Sequence, residues 1–306
     1  MFYKGGKGPM KRLKLIYNNR SGNRSFKNEL DSCIEIFQNA GYDINIFRSS
    51  TYNDISNHLQ NLKKDEYYTI VSVGGDGTLN TVVNYMMRNN IKSKLGIIPA
   101  GTANDFARHL KIQKPYTSAA EIIAKGKTIK VDIGKANEDY FINVLGVGLL
   151  TNISQQVTPT VKNTLGNLAY YLKGVENLQN FIPMPIRIIN SKEVIEEEIY
   201  FSIILNSSGA GSFDKLATDA SVNDGLFDFL AVKSSGITEL AALVLKFLKG
   251  EHMNDSRVIH FKDNHIRLET MKHDEKVSFE TTVDGENGPT LPLEITNISS
   301  AIEVFC

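Results

Sequence analysis

Between Leu13 and Ile98 the chain alternates short apolar runs with amphipathic stretches, and few folds accept that rhythm. The runs at Leu13–Tyr17, Tyr42–Phe47, Thr69–Val73 and Leu95–Ile98 predict strands. Leu30, Ile34 and Phe37, then Ile55, Leu59 and Leu62, predict helices between them. Leu79, Val82, Val83, Met86 and Met87 have the i, i+3, i+4, i+7, i+8 spacing of a helix with one buried face. Alternation of this kind predicts βαβ units on a parallel sheet. Ile70–Val73 and Ile97–Ile98 are apolar on both faces, as a sheet covered on two sides requires.

After Val131 the texture changes. Strands are expected at Phe141–Val147, Ile186–Asn190, Ile199–Leu205, Leu226–Val232, Val277–Val283 and Leu291–Ile295, with two long helix patterns, Leu165–Phe181 and Ile237–Leu248. The expected fold class is therefore α/β followed by a mostly antiparallel, β-rich part. Two domains are also the natural reading of 306 residues. The α/β domain is assigned to residues 10–130 and the β-rich one to 131–306, with about 291–306 as a candidate to pack back on the first. Residues 1–9 read as a flexible lead-in, with Met10 an alternative start.

Lys+Arg and Asp+Glu number 34 each, so no overall field draws the chain toward nucleic acid or anionic lipid, and no nucleic-acid partner is expected. Cys33 and Cys306 make neither a disulfide framework nor a metal cluster. The six histidines have no ligand spacing. The longest apolar run, Ile142–Leu150, is interrupted by Asn143, Gly146 and Gly148 and is far shorter than the roughly 18 residues of a membrane span. The basic start has no apolar core behind it, as a secretory signal would. A cytoplasmic protein is expected.

The third strand ends on Gly74-Gly75-Asp76-Gly77, and a helix begins at once. Glycines let a ligand approach the main chain, and the unpaired amides and dipole of a helix start favour phosphate. Asp76 would repel phosphate unless a divalent cation lay between or a hydroxyl had to be oriented, which points to Mg2+–nucleotide chemistry. The plainer reading is a tight turn with Asp76 as N-cap. Neither G-x-x-x-x-G-K-[ST] nor a first-strand G-x-G-x-x-G occurs, so a P-loop or an ordinary dinucleotide fold lacks its fingerprint. Two further strand ends, "YNNRSGN" from Tyr17 and "IIPAGTANDFARHL" from Ile97, bring Gly, Ser, Thr and Asn to the same edge. Three such ends suggest one shared phosphate crevice.

"GGDGTLN" followed by "PAGTANDFAR" closely resembles the catalytic domain of the diacylglycerol kinase and sphingosine kinase superfamily. The likeness extends from Lys11 to Phe305 through "VDIGKANEDYFINVLGVG", "LGNLAYYLKGVENL", "NDGLFDFLAV" and "VDGE", the second of these resembling the soluble bacterial diacylglycerol kinases in particular. NAD kinases and phosphofructokinases share a GGDG-type loop but lack the segment after the fourth strand. The resemblance implies a phosphofructokinase-like nucleotide domain, a β-sandwich-like lipid-binding domain and an active site in the cleft between them. The first loop, Asn-Asn-Arg-Ser-Gly, departs from a family that usually has proline second, and Leu150 stands where many relatives carry an acidic residue.

Carried over by motif, Asn18, Asn19, Arg20, Ser21 and Gly22 would form the first nucleotide loop, with Thr51 a contact near the second strand. Gly74, Gly75, Asp76, Gly77, Thr78, Leu79 and Asn80 would cradle the ATP phosphates, and Thr102 would add a hydroxyl. Asp76 would serve the catalytic metal network, supported by Asp105 and Asp132. Asp224 would hold a structural Mg2+ with the carbonyls of Ser221 and Leu226. Glu286 would be the general base. The implied activity is transfer of the ATP γ-phosphate to diacylglycerol, giving phosphatidic acid. Another lipid alcohol (a sphingoid base or phosphatidylglycerol) or a non-catalytic nucleotide- or lipid-binding regulator are the alternatives. Peripheral membrane contact is implied, and a homodimer is compatible with it. The stripe Leu240, Leu243, Val244, Phe247 and Leu248 could touch a bilayer, although packing on its own sheet is the favoured reading.

Overall fold

The structure, a computed structural model, describes residues 11–64, 66–148, 183–210, 215–271 and 279–306. The proposed lead-in, Leu150 and the helix pattern Leu165–Phe181 lie outside these residues. The chain divides into two compact units, one running to Ile133 and taking in Ser299–Cys306, the other Gly134–Ile298.

The first unit contains β1 (Lys11–Asn18), α1 (Leu30–Asn39), β2 (Tyr42–Ser49), α2 (Tyr52–Gln60), β3 (Thr69–Gly74), α3 (Asp76–Arg88), β4 (Lys94–Pro99), α4 (Asp105–His109), α5 (Tyr116–Lys125) and most of β5 (Thr128–Ala136). β1 pairs in parallel with β2 and β3, and β3 with β4, giving the order β2-β1-β3-β4. Every residue of β3 is buried, because helices cover both faces of a parallel sheet. α3 buries Leu79, Val82, Val83 and Met86, the face read from its spacing. α2 begins at a capping box: the Thr51 hydroxyl accepts the Asp54 N–H at 3.2 Å, and the Asp54 carboxylate accepts the Thr51 N–H at 3.0 Å.

The second unit follows with β6 (Asp139–Phe141), β7 (Val144–Gly148), β8 (Met184–Ile189), β9 (Val194–Leu205), β10 (Phe227–Lys233), α6 (Ile237–Lys249), β11 (Val258–Asp263), β12 (His265–Thr270), β13 (Thr281–Val283), β14 (Glu286–Asn287) and β15 (Leu293–Phe305). The long β9 pairs antiparallel with β8 along its first half and with β7 and β10 along its second. One core, including Phe141, Leu145, Ile188, Phe229, Leu268 and Ile295, fills the space these strands enclose. Gly134 sits opposite Phe141, whose ring occupies the space a Cβ would need.

Two expectations change. The expected strand Phe141–Val147 is two strands, β6 and β7, parted at Ile142 and Asn143, whose amides turn to the Asp284 carboxylate. The expected Leu291–Ile295 strand runs on to Phe305. Its burial changes phase, from Leu293 and Ile295 to Ile302 and Val304. Ser300, at φ +54°, lies between these two sets, and its N–H donates to Asp132 at 2.7 Å. Beyond it Val304 pairs in parallel with Leu95 of β4. As favoured from the sequence, α6 lays Leu240 and Leu243 against Val232 with Phe247 alongside, so these side chains pack on their own sheet, while Leu245 remains 44% exposed. Among the described residues no helix is long and apolar enough to cross a membrane.

Candidate active site

In the order β2-β1-β3-β4 the chain winds one way from β1 to β2 and the other from β1 to β3. Ligands of open parallel sheets bind outside the carboxyl ends of the strands at such a reversal. There β1 delivers Asn18–Gly22 and β3 delivers Gly74–Gly77, with Ala100–Asp105 arriving from the neighbouring β4.

The glycines at this edge are needed first by one another. The Gly74 carbonyl accepts the N–H groups of Ala100 at 2.8 Å and Gly101 at 3.2 Å, zipping the third and fourth strand ends together. A Cβ on Gly101 would stand 2.4 Å from the Gly75 Cα, and one on Gly22, at φ +52°, would stand 2.4 Å from the Ala100 carbonyl oxygen. A Cβ on Gly74 would strike the buried Thr78 side chain at 2.4 Å. Three chain segments thus meet backbone to backbone, which only residues without side chains permit. Asn18 completes the latch. Its amide nitrogen donates to the Thr78 hydroxyl at 3.1 Å, and its side-chain oxygen accepts the Arg20 N–H at 3.0 Å.

Asp76 is not the cap of its own helix. Its Oδ2 accepts the Asn104 N–H and its Oδ1 the Asp105 N–H, both at 2.9 Å, so it ties the glycine turn to the start of α4. The residue before α3 is Gly75, and no side chain caps that helix. The first-turn amides of a 13-residue helix, which have no intrahelical acceptors, therefore face this edge together with the positive end of its dipole. Asn104, at φ +52°, holds its loop from within: its Oδ1 accepts the Gly101 N–H and its Nδ2 donates to the Gly101 carbonyl, both at 2.9 Å. Motif reading left Asn104 without a role, although it stands inside the quoted "GTAND".

The other expected residues divide by surroundings. The Thr51 hydroxyl is used in the α2 cap, the Asn80 side chain receives the Asn84 amide, and Leu79 is buried in the core. Arg20 and Thr102 are exposed. The Asp105 carboxylate pairs with Arg108 at 2.6 Å, and Asp132 is fully buried with the Ser300 amide on its Oδ1.

In the second unit, Glu286 is exposed on the far strand of the β13–β14 hairpin, paired with Val283. Asp284 at φ +50° and Gly285 at φ +89° are its two turn residues, the geometry of a type I′ turn. In the Asp224 loop the Leu226 N–H donates to Asp224 Oδ1 at 3.0 Å, and Ser221 Oγ donates to Asn223. Lys262 extends its ammonium into the same loop, 2.8 Å from the Asp219 carbonyl, 3.3 Å from Asp228 and 3.9 Å from Asp224.

These donor sets differ in how well they suit Mg2+. Among the described residues no group of three or more His, Cys, Asp or Glu is arranged to hold a metal ion. Asp76 is a carboxylate standing among backbone amides at this edge, so it suits an ion that arrives on nucleotide phosphates with its waters, the usual habit of Mg2+. The Asp224 loop suits one poorly, because Lys262 already supplies a positive charge there.

A parallel sheet whose switch point is lined by backbone amides and bordered by a carboxylate suits an enzyme that handles a phosphate-bearing ligand. Comparison with known proteins carries this further. The diacylglycerol kinase catalytic domain family matches residues 12–136, and the YegS C-terminal NAD kinase beta sandwich-like domain family matches residues 144–306. The diacylglycerol kinase of Bacillus subtilis (strain 168) is 36% identical over 296 residues, covering 96% of this chain and 96% of the relative. That of Staphylococcus aureus (strain MRSA252) is 36% identical over 96% of this chain and 92% of its own. A crystal structure of a diacylglycerol kinase from Bacillus anthracis str. Sterne superposes with a TM-score of 0.79 at 26% identity, covering 98% of each chain. The chain belongs to the diacylglycerol kinase family, and it is a lipid kinase.

Proposed function

We propose that this enzyme transfers the γ-phosphate of ATP to the hydroxyl of diacylglycerol, giving phosphatidic acid, with Mg2+ arriving on the nucleotide. The observation that carries the reading is the junction of three strand-end loops, Asn18–Gly22, Gly74–Gly77 and Ala100–Asp105, packed backbone to backbone at the switch point of the first unit. The names of the relatives support the choice of lipid.

Phosphoryl transfer proceeds through a loose transition state, and the protein mainly positions groups and neutralises charge. Amides of the glycine loops and of the α3 first turn hold the β- and γ-phosphates. Asp76 keeps the two loops in register and would hold the nucleotide's Mg2+ by way of water. That ion, when bound, neutralises charge on the transferring group and on the leaving ADP. The lipid hydroxyl oxygen bonds to the γ-phosphorus as the bond to the β,γ-bridging oxygen breaks, and Glu286 accepts the hydroxyl proton. Glu286 suits this task in being exposed on a short, rigid hairpin.

The test is incubation of purified protein with labelled ATP, Mg2+ and a panel of lipids in mixed micelles. Label in phosphatidic acid from diacylglycerol is expected. Label on a sphingoid base or phosphatidylglycerol instead would move the assignment to that lipid alcohol, and no labelled lipid would reject the proposal.

A further inference from the structure

Asp284 is a second carboxylate beside Glu286, and the mechanism above does not use it. Its side chain points inward, leaving the residue 6% exposed. Three backbone N–H groups converge on it: those of Asn143 and Val144 on Oδ1 and that of Ile142 on Oδ2, each at 2.9 Å. Its own N–H returns to the Val144 carbonyl at 2.8 Å. The segment it grips is the break between β6 and β7, and that break is braced from the other side. Asn206 donates its N–H to the Asn143 carbonyl and its side-chain amide to the Ile142 carbonyl, both at 2.9 Å. Ser207 in turn donates to the Asn143 side chain.

The choice of aspartate here has no explanation in the turn alone. A type I′ turn accepts Asn-Gly at least as readily as Asp-Gly. An asparagine, however, would offer one acceptor oxygen to three converging donors and turn its own NH2 toward an N–H. A carboxylate accepts all three, and bonds from amides to an ionised acceptor are short and strong. The hairpin that ends in Glu286 is thereby fastened at its turn to a buried polar knot, two residues from the exposed carboxylate.

We propose that Asp284 is the positioning residue for Glu286: it fixes the β13–β14 turn so that the Glu286 carboxylate is held where the lipid proton must be taken. It touches neither nucleotide nor lipid. The inference rests on Glu286 acting as the base, and the test separates the two ideas.

Three variants of the full chain, Asp284→Asn, Glu286→Gln and the double variant, are compared in the mixed-micelle assay, with thermal melting to establish folding. Misplacing a catalytic group by about 1 Å costs on the order of a hundredfold in rate. Folded Asp284→Asn should therefore lose roughly ten- to a hundredfold in kcat while its KM for ATP stays within about twofold. The double variant should turn over no more slowly than Glu286→Gln alone, because the anchor acts only through the base. Normal kcat in Asp284→Asn, or a further multiplied loss in the double variant, overturns the proposal. Near-normal turnover in Glu286→Gln removes the base assignment itself, and the proposal with it. Where Asp284→Asn fails to melt cooperatively, Gly285→Ala takes its place. At φ +89° it strains the same turn and leaves the three amide bonds intact. A folded Gly285→Ala protein should lose at least about threefold in kcat at unchanged KM for ATP, and undiminished kcat overturns the proposal.

Discussion

Replacing Gly101 with alanine isolates the contact between the glycine loops. Gly101 is not at positive φ, so alanine meets no backbone strain, and the whole effect comes from its methyl group. That methyl would lie 2.4 Å from the Gly75 Cα, 2.8 Å from Asn104 Oδ1 and 3.2 Å from the Gly75 nitrogen. Ordinary contact begins at 3.4 Å, so the two backbones must separate by about 1 Å. Overpacking of this kind costs about 1–3 kcal/mol of stability. A 1 Å shift of a positioning element costs on the order of a hundredfold in turnover, which is about 2.7 kcal/mol of transition-state stabilisation. Gly75→Ala is the internal comparison. Its methyl would stand 3.2 Å from the Gly101 Cα, so a few tenths of an ångström suffice and the loss should be well under tenfold. Calorimetric titration with Mg·ATP and initial rates in mixed micelles measure both variants. Nucleotide binding and turnover in Gly101→Ala equal to the unaltered protein would refute the loop-on-loop argument. So would a more severe defect in Gly75→Ala.

Three other perturbations address other parts of the molecule. Asp76→Ala leaves the Asn104 and Asp105 amides without their acceptor; it should lower stability by about 2 kcal/mol in a urea melt and cut turnover by at least about a hundredfold. Asp255, buried against α6, is hydrogen-bonded by Arg257 and Lys246, which hold its carboxyl well below the usual carboxylate range. Because its folded-state pKa is depressed, its contribution is complete above the unfolded value near 4 and is lost as pH falls through the folded value. Asp255→Asn should thus melt below the unaltered protein at pH 7, with the gap narrowing at pH 3. Lys262 supplies the positive charge of the Asp224 loop, so chelation with EDTA should leave the melting temperature of the unaltered protein unchanged. In Lys262→Met, by contrast, Mg2+ should raise it.

Local pattern was enough to define the first unit's four leading strands and the helices between them, though not α5 or β5. Each βα step there repeats within about 30 residues, and burial on both faces leaves an apolar signature that needs no partner to be read. It was weaker where burial does not alternate. β11 is partly buried along most of its length, so no period of two marks it, and it was not anticipated; β12 was missed although Ile266 and Leu268 alternate with exposed neighbours. β9 begins at Val194 rather than Ile199 because Glu196, Glu197 and Glu198 lie on a solvated edge of a strand that nevertheless pairs with β8. Asp76 had the right address and an unexpected employment, since the amides it binds lie 28 and 29 residues further along.

The amino-acid sequence alone determined that a parallel α/β unit would end its strands on glycine, and that a lipid-kinase motif pair would stand at those ends. Only the tertiary structure decided what the glycines and carboxylates do there. Gly101 has no room for a side chain because Gly75 lies against it, and Asp284 gathers three amides from some 140 residues earlier in the chain. The physical reason is the range of the forces involved. Periodic burial is written within one turn or one strand, whereas a steric contact or a buried hydrogen bond exists only once distant segments meet.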